Sequence, residues 1–149
     1  MAYDAELVAP CGMNCARCSS YLAWRNGLWE KGIAVHYCAG CRPKKKKCGH
    51  LMKDCSLLRK GQVRFCYECK DFPCARLKAI DERYRSRYRM SMIDNLELIR
   101  RSGIDALLAK EREMWSCKCG GLISCHNGIC FACGLEELKK RKTWNMNRW

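Results

Sequence analysis

The rhythm of hydrophobic and polar positions changes three times along the chain. Between Ser19 and Tyr37, the residues Tyr21, Leu22, Trp24, Leu28 and Trp29 supply a broad apolar face. That spacing predicts a helix, which Ser19 or Ser20 could cap and which Gly27 and Gly32 would weaken or end. From Ala75 to Met90, Leu77, Ile80, Tyr84 and Tyr88 recur at helical intervals among Arg83, Arg85, Arg87 and Arg89. Ser91 followed by Asp94, and Ser102 followed by Asp105, fit an acidic variant of the capping box and so predict two more helix starts. Behind them run the stripes Met92, Ile93, Leu96, Ile99 and then Ile104, Leu107, Leu108, Trp115. Residues 75–115 therefore read as a helical core. After Trp115 the helical rhythm gives way to short glycine-marked turns, then to a brief Leu135-Glu136-Glu137-Leu138 helix and a basic tail.

The pattern divides the chain into a cysteine-rich segment with a helical second half (1–114), a ribbon-like module (115–134) and a tail (135–149). The expected fold is a small, metal-stabilised α+β domain, mostly helical, with irregular cysteine-rich knuckles and a C-terminal zinc ribbon. Composition explains why metal enters. A chain of 149 residues holds one ordinary domain with a small appendage, and a mean hydropathy of −0.40 leaves a modest apolar core. Staples are needed, and 15 cysteines supply them. The start of the chain has no basic stretch followed by an apolar one, so the expected compartment is the reducing cytoplasm, where thiolates bind metal rather than form disulfides. Charged residues interrupt every hydrophobic stretch before it reaches the about 18 residues of a membrane span.

Ten cysteines lie between Cys11 and Cys74 and five between Cys117 and Cys133. Four CxxC pairs are present: Cys15/Cys18, Cys38/Cys41, Cys66/Cys69 and Cys130/Cys133. Glycine beside Cys41 and Cys133 gives backbone N–H groups room to approach sulfur. The economical first site joins Cys15, Cys18, Cys38 and Cys41. A second would draw on Cys48, Cys55, Cys66, Cys69 and Cys74, with Cys11 or His50 as substitutes. The third would join Cys117, Cys119, Cys130 and Cys133, with Cys125 or His126 as an alternative ligand or Cys125 as a buried thiol. Two to three zinc ions are thus expected. An iron–sulfur cluster is the alternative, because Cys66, Cys69 and Pro73-Cys74 share the Cys-Pro character of ferredoxin runs. Cys11, Cys15 and Cys18 have the CxxxCxxC spacing of radical enzymes, yet the chain shows no barrel-forming alternation of strands and helices.

Charge bears on partners. The formal net charge is +14; each zinc held by four thiolates contributes about −2, leaving about +8 with three sites. Arg42, Lys44, Lys45, Lys46 and Lys47 sit between Cys41 and Cys48, where two metal sites would hold them as a basic projection toward phosphate. A nucleic acid or ribonucleoprotein is the leading expected partner. A protein partner, in the manner of a structural accessory subunit of an enzyme complex, is another, and metal handling or electron transfer a third. No phosphate loop, nucleophile elbow or paired His-Glu motif is present, so catalysis is not the expected task. Glu68 and Asp71, between cysteines, read as turn residues before they read as a base for metal-bound water.

With these residues laid out, the chain resembles the short bacterial and archaeal proteins catalogued as domain of unknown function 3795. The resemblance rests on Cys11-Gly12-Met13-Asn14-Cys15-Ala16-Arg17-Cys18, on Cys38-Ala39-Gly40-Cys41, and on the stretch from Lys60 through Phe65-Cys66-Tyr67-Glu68-Cys69 to Phe72-Pro73-Cys74. The helices after Ala75 and Trp115-Ser116-Cys117 are similar to longer, ribbon-bearing members, except that CxC at Cys117-Lys118-Cys119 stands where those would show CxxC. The resemblance implies metal binding and no established activity.

Overall fold

The computed structural model describes residues 4–42 and 55–140. Six α-helices form there: α1 (Ser19–Arg25), α2 (Ser56–Arg59), α3 (Ala75–Tyr88), α4 (Met92–Ser102), α5 (Ile104–Trp115) and α6 (Leu135–Lys140). Single 3-10 turns at Ala5–Leu7, Cys15–Arg17 and Cys66–Glu68 link them. The mostly helical expectation holds. Its α+β and ribbon parts are corrected: among the described residues no strand forms, and antiparallel pairing is limited to the isolated bridges Val8 with Asn14, Ser116 with Leu122, and Ile123 with Cys130.

α3, α4 and α5 follow one another with minimal connections and pack in sequence, α4 lying against both neighbours. Ser91 starts α4 as expected, its hydroxyl accepting from the Asp94 N–H at 3.0 Å. Ser102 does not start α5. It ends α4, and Gly103, at φ +87°, turns the chain into α5 without a side-chain cap. The first helix is also shorter than the apolar face suggested. α1 stops at Arg25, after which Gly27 and Gly32, both at positive φ, take the chain through turns.

The core has two parts. Leu77, Leu96, Leu107 and Trp115 of the helical layers bury against Val8, Met13 and Phe65 from the first half of the chain. Leu22 and Leu28 bury against Leu122, Phe131 and Leu138 from the C-terminal module. The N-terminal cysteine segment is thus clasped between the helices and the C-terminal turns. Gly12 marks the tightest approach: a Cβ there would lie 2.7 Å from the Met92 carbonyl oxygen, and the Asn95 amide donates to the Gly12 carbonyl at 3.0 Å.

Two charged groups are built into this interior. Arg17 is fully buried and its Nε donates to Glu111 Oε2 at 3.1 Å, while its Nη1 donates to the Trp115 carbonyl at 3.2 Å. The Asn14 amide also donates to Glu111 Oε2, at 3.0 Å. Burial pushes the Glu111 carboxyl up, against the pull of Arg17 and Asn14. Asp81 is the second: its Oδ1 accepts from Ser91 Oγ at 2.7 Å and from the Ile93 N–H at 3.0 Å, and its Oδ2 accepts from Arg85. Burial alone would raise this carboxyl, yet these donors hold it below its ordinary value. α3 and the start of α4 are joined through it.

Candidate metal centre

The C-terminal module begins where α5 ends. The Ile123 N–H returns to the Trp115 carbonyl at 2.9 Å, and the Cys117 N–H donates to the Gly121 carbonyl at 2.9 Å, which closes the turn carrying Cys117 and Cys119. A second turn carries Cys130 and Cys133, closed by the Gly134 N–H on the Cys130 carbonyl at 2.8 Å and followed directly by α6. Phe131 and Leu138, buried against α1, hold that turn in place.

These two turns bring four sulfur atoms together. Cys117, Cys119, Cys130 and Cys133 offer Sγ atoms that all lie within 4.8 Å of one another, the single such group of cysteine, histidine or carboxylate ligand atoms among the described residues. Across the group, Cys117 Sγ lies 3.7 Å from Cys133 Sγ and Cys119 Sγ lies 3.6 Å from Cys130 Sγ. The Gly121 N–H donates to Cys119 Sγ at 3.3 Å, and the Ala132 and Cys133 N–H groups face Cys130 Sγ. Gly121 has to be glycine for close approach: a Cβ there would stand 2.7 Å from Cys130 Sγ and 3.2 Å from Cys119 Sγ.

The electrostatics suit a cation. The Gly121 N–H and the three neighbouring thiols draw Cys119 down to about 7, while the thiols of Cys119, Cys117 and Cys130 push Cys133 up to about 12. One thiolate forms readily and the next is opposed by it. A divalent ion among the four removes that opposition. This site can hold one metal ion through the two cysteine pairs Cys117/Cys119 and Cys130/Cys133.

Cys125 and His126 stay out of it. Cys125 is fully buried, its thiol pushed well up by burial and its N–H bonded to the Arg17 carbonyl at 3.0 Å. Both ring nitrogens of His126 are engaged: Nδ1 accepts from the Ser19 N–H at 3.2 Å, which leaves Nε2 to donate to Tyr84 Oη at 3.1 Å.

In the first half of the chain the cysteines are placed more loosely. Cys15, Cys18, Cys38 and Cys41 are neighbours: the Cys41 N–H donates to Cys15 Sγ at 3.3 Å, the Ser20 and Tyr21 N–H groups face Cys18 Sγ, and Cys18 feels the charge of Cys41 and Cys38. Contact with the Cys41 thiol and burial push Cys15 up strongly. Cys11 is fully buried in the helical core. Cys55, Cys66, Cys69 and Cys74 line one cavity. His36 is exposed, with Nδ1 3.4 Å from Ser20 Oγ. Cys48, His50 and Lys44 to Lys47 lie outside the described residues. Arg42 is tied down rather than projecting, its guanidinium donating at 2.6 Å to the carbonyls of both Val8 and Arg64 and lying over the Phe65 ring. Glu68 closes its own 3-10 turn by accepting the N–H groups of Arg64 and Phe65.

The match to known families falls on the N-terminal half of this arrangement. Residues 7–79 fit the model of the family described as Protein of unknown function (DUF3795). That segment belongs to the DUF3795 family. No curated protein and no solved structure matches the chain. The DUF3795 segment carries all the motifs on which the resemblance rested and ends inside α3. Its buried Arg17 is neutralised by Glu111, and its Cys18–Ser19 turn is bonded to His126, both beyond the matched residues. No helix among the described residues is long and apolar enough to cross a membrane.

Arg17, Asn14 and Glu111 escaped the sequence reading, as did the His126–Tyr84 contact. The sole hint at Arg17 in the sequence is a charge set between two closely spaced cysteines.

Proposed function

We propose that this protein is a zinc-stapled binding module that presents a basic surface to nucleic acid. The observation that carries the zinc assignment is the four-sulfur group of Cys117, Cys119, Cys130 and Cys133. Tetrahedral zinc with bonds of about 2.3 Å to thiolate requires sulfur–sulfur edges of about 3.8 Å; two edges of the group are 3.7 and 3.6 Å, and all lie within 4.8 Å. Four thiolate ligands leave no open position, which is the arrangement of a structural rather than a catalytic zinc. The ion fastens the C-terminal turns that in turn cover α1.

What the stapled core displays is positive. On α3 and its end, Arg76, Lys78, Arg83, Arg85, Arg87 and Arg89 are all exposed, with Glu82 the one exposed acid among them. Asp81 and Asp94 both pair with Arg85, which fixes its guanidinium and partly neutralises it. Such a face suits phosphate contacts without base reading. The Lys44 to Lys47 run adds to the same charge.

The test is binding of the full chain, zinc loaded, to single- and double-stranded oligonucleotides over a range of salt. Affinity should fall steeply as salt rises, and Arg83→Ala with Arg87→Ala should weaken binding and lower the salt slope by about two while leaving zinc content intact. Salt-independent binding, or undiminished binding by the variant, would overturn the nucleic-acid reading and leave the zinc assignment standing.

A further inference from the structure

Between α2 and the start of α3 lies a cavity of about 390 Å³. Four cysteines line it: Cys55, Cys66, Cys69 and Cys74. Each is fixed by its backbone. The Cys55 carbonyl accepts the Arg59 N–H at 3.1 Å as α2 begins, and the Cys74 carbonyl accepts the Lys78 N–H at 3.0 Å as α3 begins. The Cys66 N–H donates to the Pro10 carbonyl at 2.9 Å, and Cys69 is bonded on both sides, to Cys66 and to Phe72. Four cysteines therefore border one space, set there by three separate local structures.

The spacing differs in kind from that of the C-terminal group. Among the described residues the C-terminal four are the group whose ligand atoms converge on a single ion, and these four cysteines do not converge in that way. They share the walls of one cavity instead. A single zinc ion with bonds of about 2.3 Å would not reach all of them; an inorganic core placed between them would. Iron–sulfur clusters are held by four cysteine thiolates in this manner.

The walls suit such a guest as well. Leu57, Leu58, Val63, Phe72 and Leu77 give the cavity an apolar lining, while Asp71 and Cys74 stand at its exposed edge. The Asp71 N–H donates to Cys69 Sγ at 3.4 Å, the type of contact that tunes such sulfurs. The first turn of α3, with Arg76, forms one wall and places positive potential beside what would be an anionic centre. We propose that Cys55, Cys66, Cys69 and Cys74 hold an iron–sulfur cluster in this cavity. It is a site apart from the C-terminal zinc and independent of it.

The experiment is anaerobic reconstitution of the full chain with ferric iron, sulfide and excess thiol, the thiol supplying the electrons for any iron that becomes ferrous. Iron, acid-labile sulfide and zinc are then counted per chain, and the visible absorption is recorded. The expected result is a brown protein with iron and sulfide in equal amounts, about two or four of each, alongside zinc. Cys69→Ala and Cys74→Ala should each lose most of the iron and sulfide while keeping the C-terminal zinc and an unchanged far-ultraviolet circular dichroism. Cys117→Ala should show the opposite, losing zinc and keeping the cluster. Wild-type protein that takes up no sulfide overturns the proposal whatever the variants do, as does a second zinc lost on Cys69→Ala. Failure at the C-terminal site appears separately, as zinc absent from the wild-type chain.

Discussion

At the scale of single residues, glycine decides whether the cysteine pairs can meet. A methyl group at position 121 would stand against Cys130 Sγ, Cys119 Sγ and the Ala132 Cβ together. None of these can yield without opening the group of four. Gly121→Ala should therefore weaken zinc binding at this site by about ten- to a hundredfold, the range seen when the support of a metal ligand is lost. A competition titration against a chelator of known affinity checks it, and an unchanged affinity would mean that the turn repacks without cost. The pairing of Cys117 and Cys119 with Cys130 and Cys133 was legible in the sequence because each turn is local and flanked by glycine. The fully buried Arg17 was not, since nothing in its neighbourhood announces a carboxylate 94 residues away.

Among elements, the join between α3 and α4 depends on one hydroxyl. Ser91 Oγ accepts from the Asp94 N–H and donates to Asp81 Oδ1, so it caps one helix and ties it to the other. Ser91→Ala removes the cap, at about 1 kcal/mol, and a hydrogen bond to an ionised carboxylate, at about 1.5–3 kcal/mol. The expected destabilisation is about 2.5–4 kcal/mol, measured by urea unfolding, and a loss below about 1 kcal/mol would show that water replaces the hydroxyl at Asp81. This cap was readable because the capping hydroxyl and the N–H that donates to it sit within one turn. The start of α5 was misread for an equally local reason: Gly103 offered a positive φ where Ser102 offered only a side chain. The apolar face between Ser19 and Tyr37 likewise promised one helix. Of its later members, Leu28 reaches the core from a turn rather than from a helix, and Trp29 stays exposed.

For the whole molecule, His126 reports on closure. Its ring lies where the Ser19 N–H at the start of α1, Tyr84 of α3 and the C-terminal module meet, and burial draws it from 6.5 down to about 4. Between those values the unfolded chain binds the proton and the folded chain does not, so stability is full above about pH 6.5 and falls as pH drops toward 4. From pH 7 to pH 5 the loss should reach about 2 kcal/mol, and in His126→Gln most of that slope should vanish. Equal slopes in both proteins would place the titration elsewhere. Grouping the ten cysteines between Cys11 and Cys74 was beyond sequence reasoning because many partitions satisfy the same spacings, and only packing assigns four of them to one cavity.

The distance in sequence between Arg17 and Glu111 also sets an order of events during synthesis. Ribosomes add about 5–20 residues each second, so the guanidinium emerges several seconds before its carboxylate does. Throughout that interval the nascent N-terminal segment holds a positive charge destined for a site with no water. It cannot complete its interior until α5 has been made, and the segment matched to the family must wait for residues outside it. A ribosome-bound chain halted before Glu111 would keep its cysteines open to solvent, and so to whatever delivers metal.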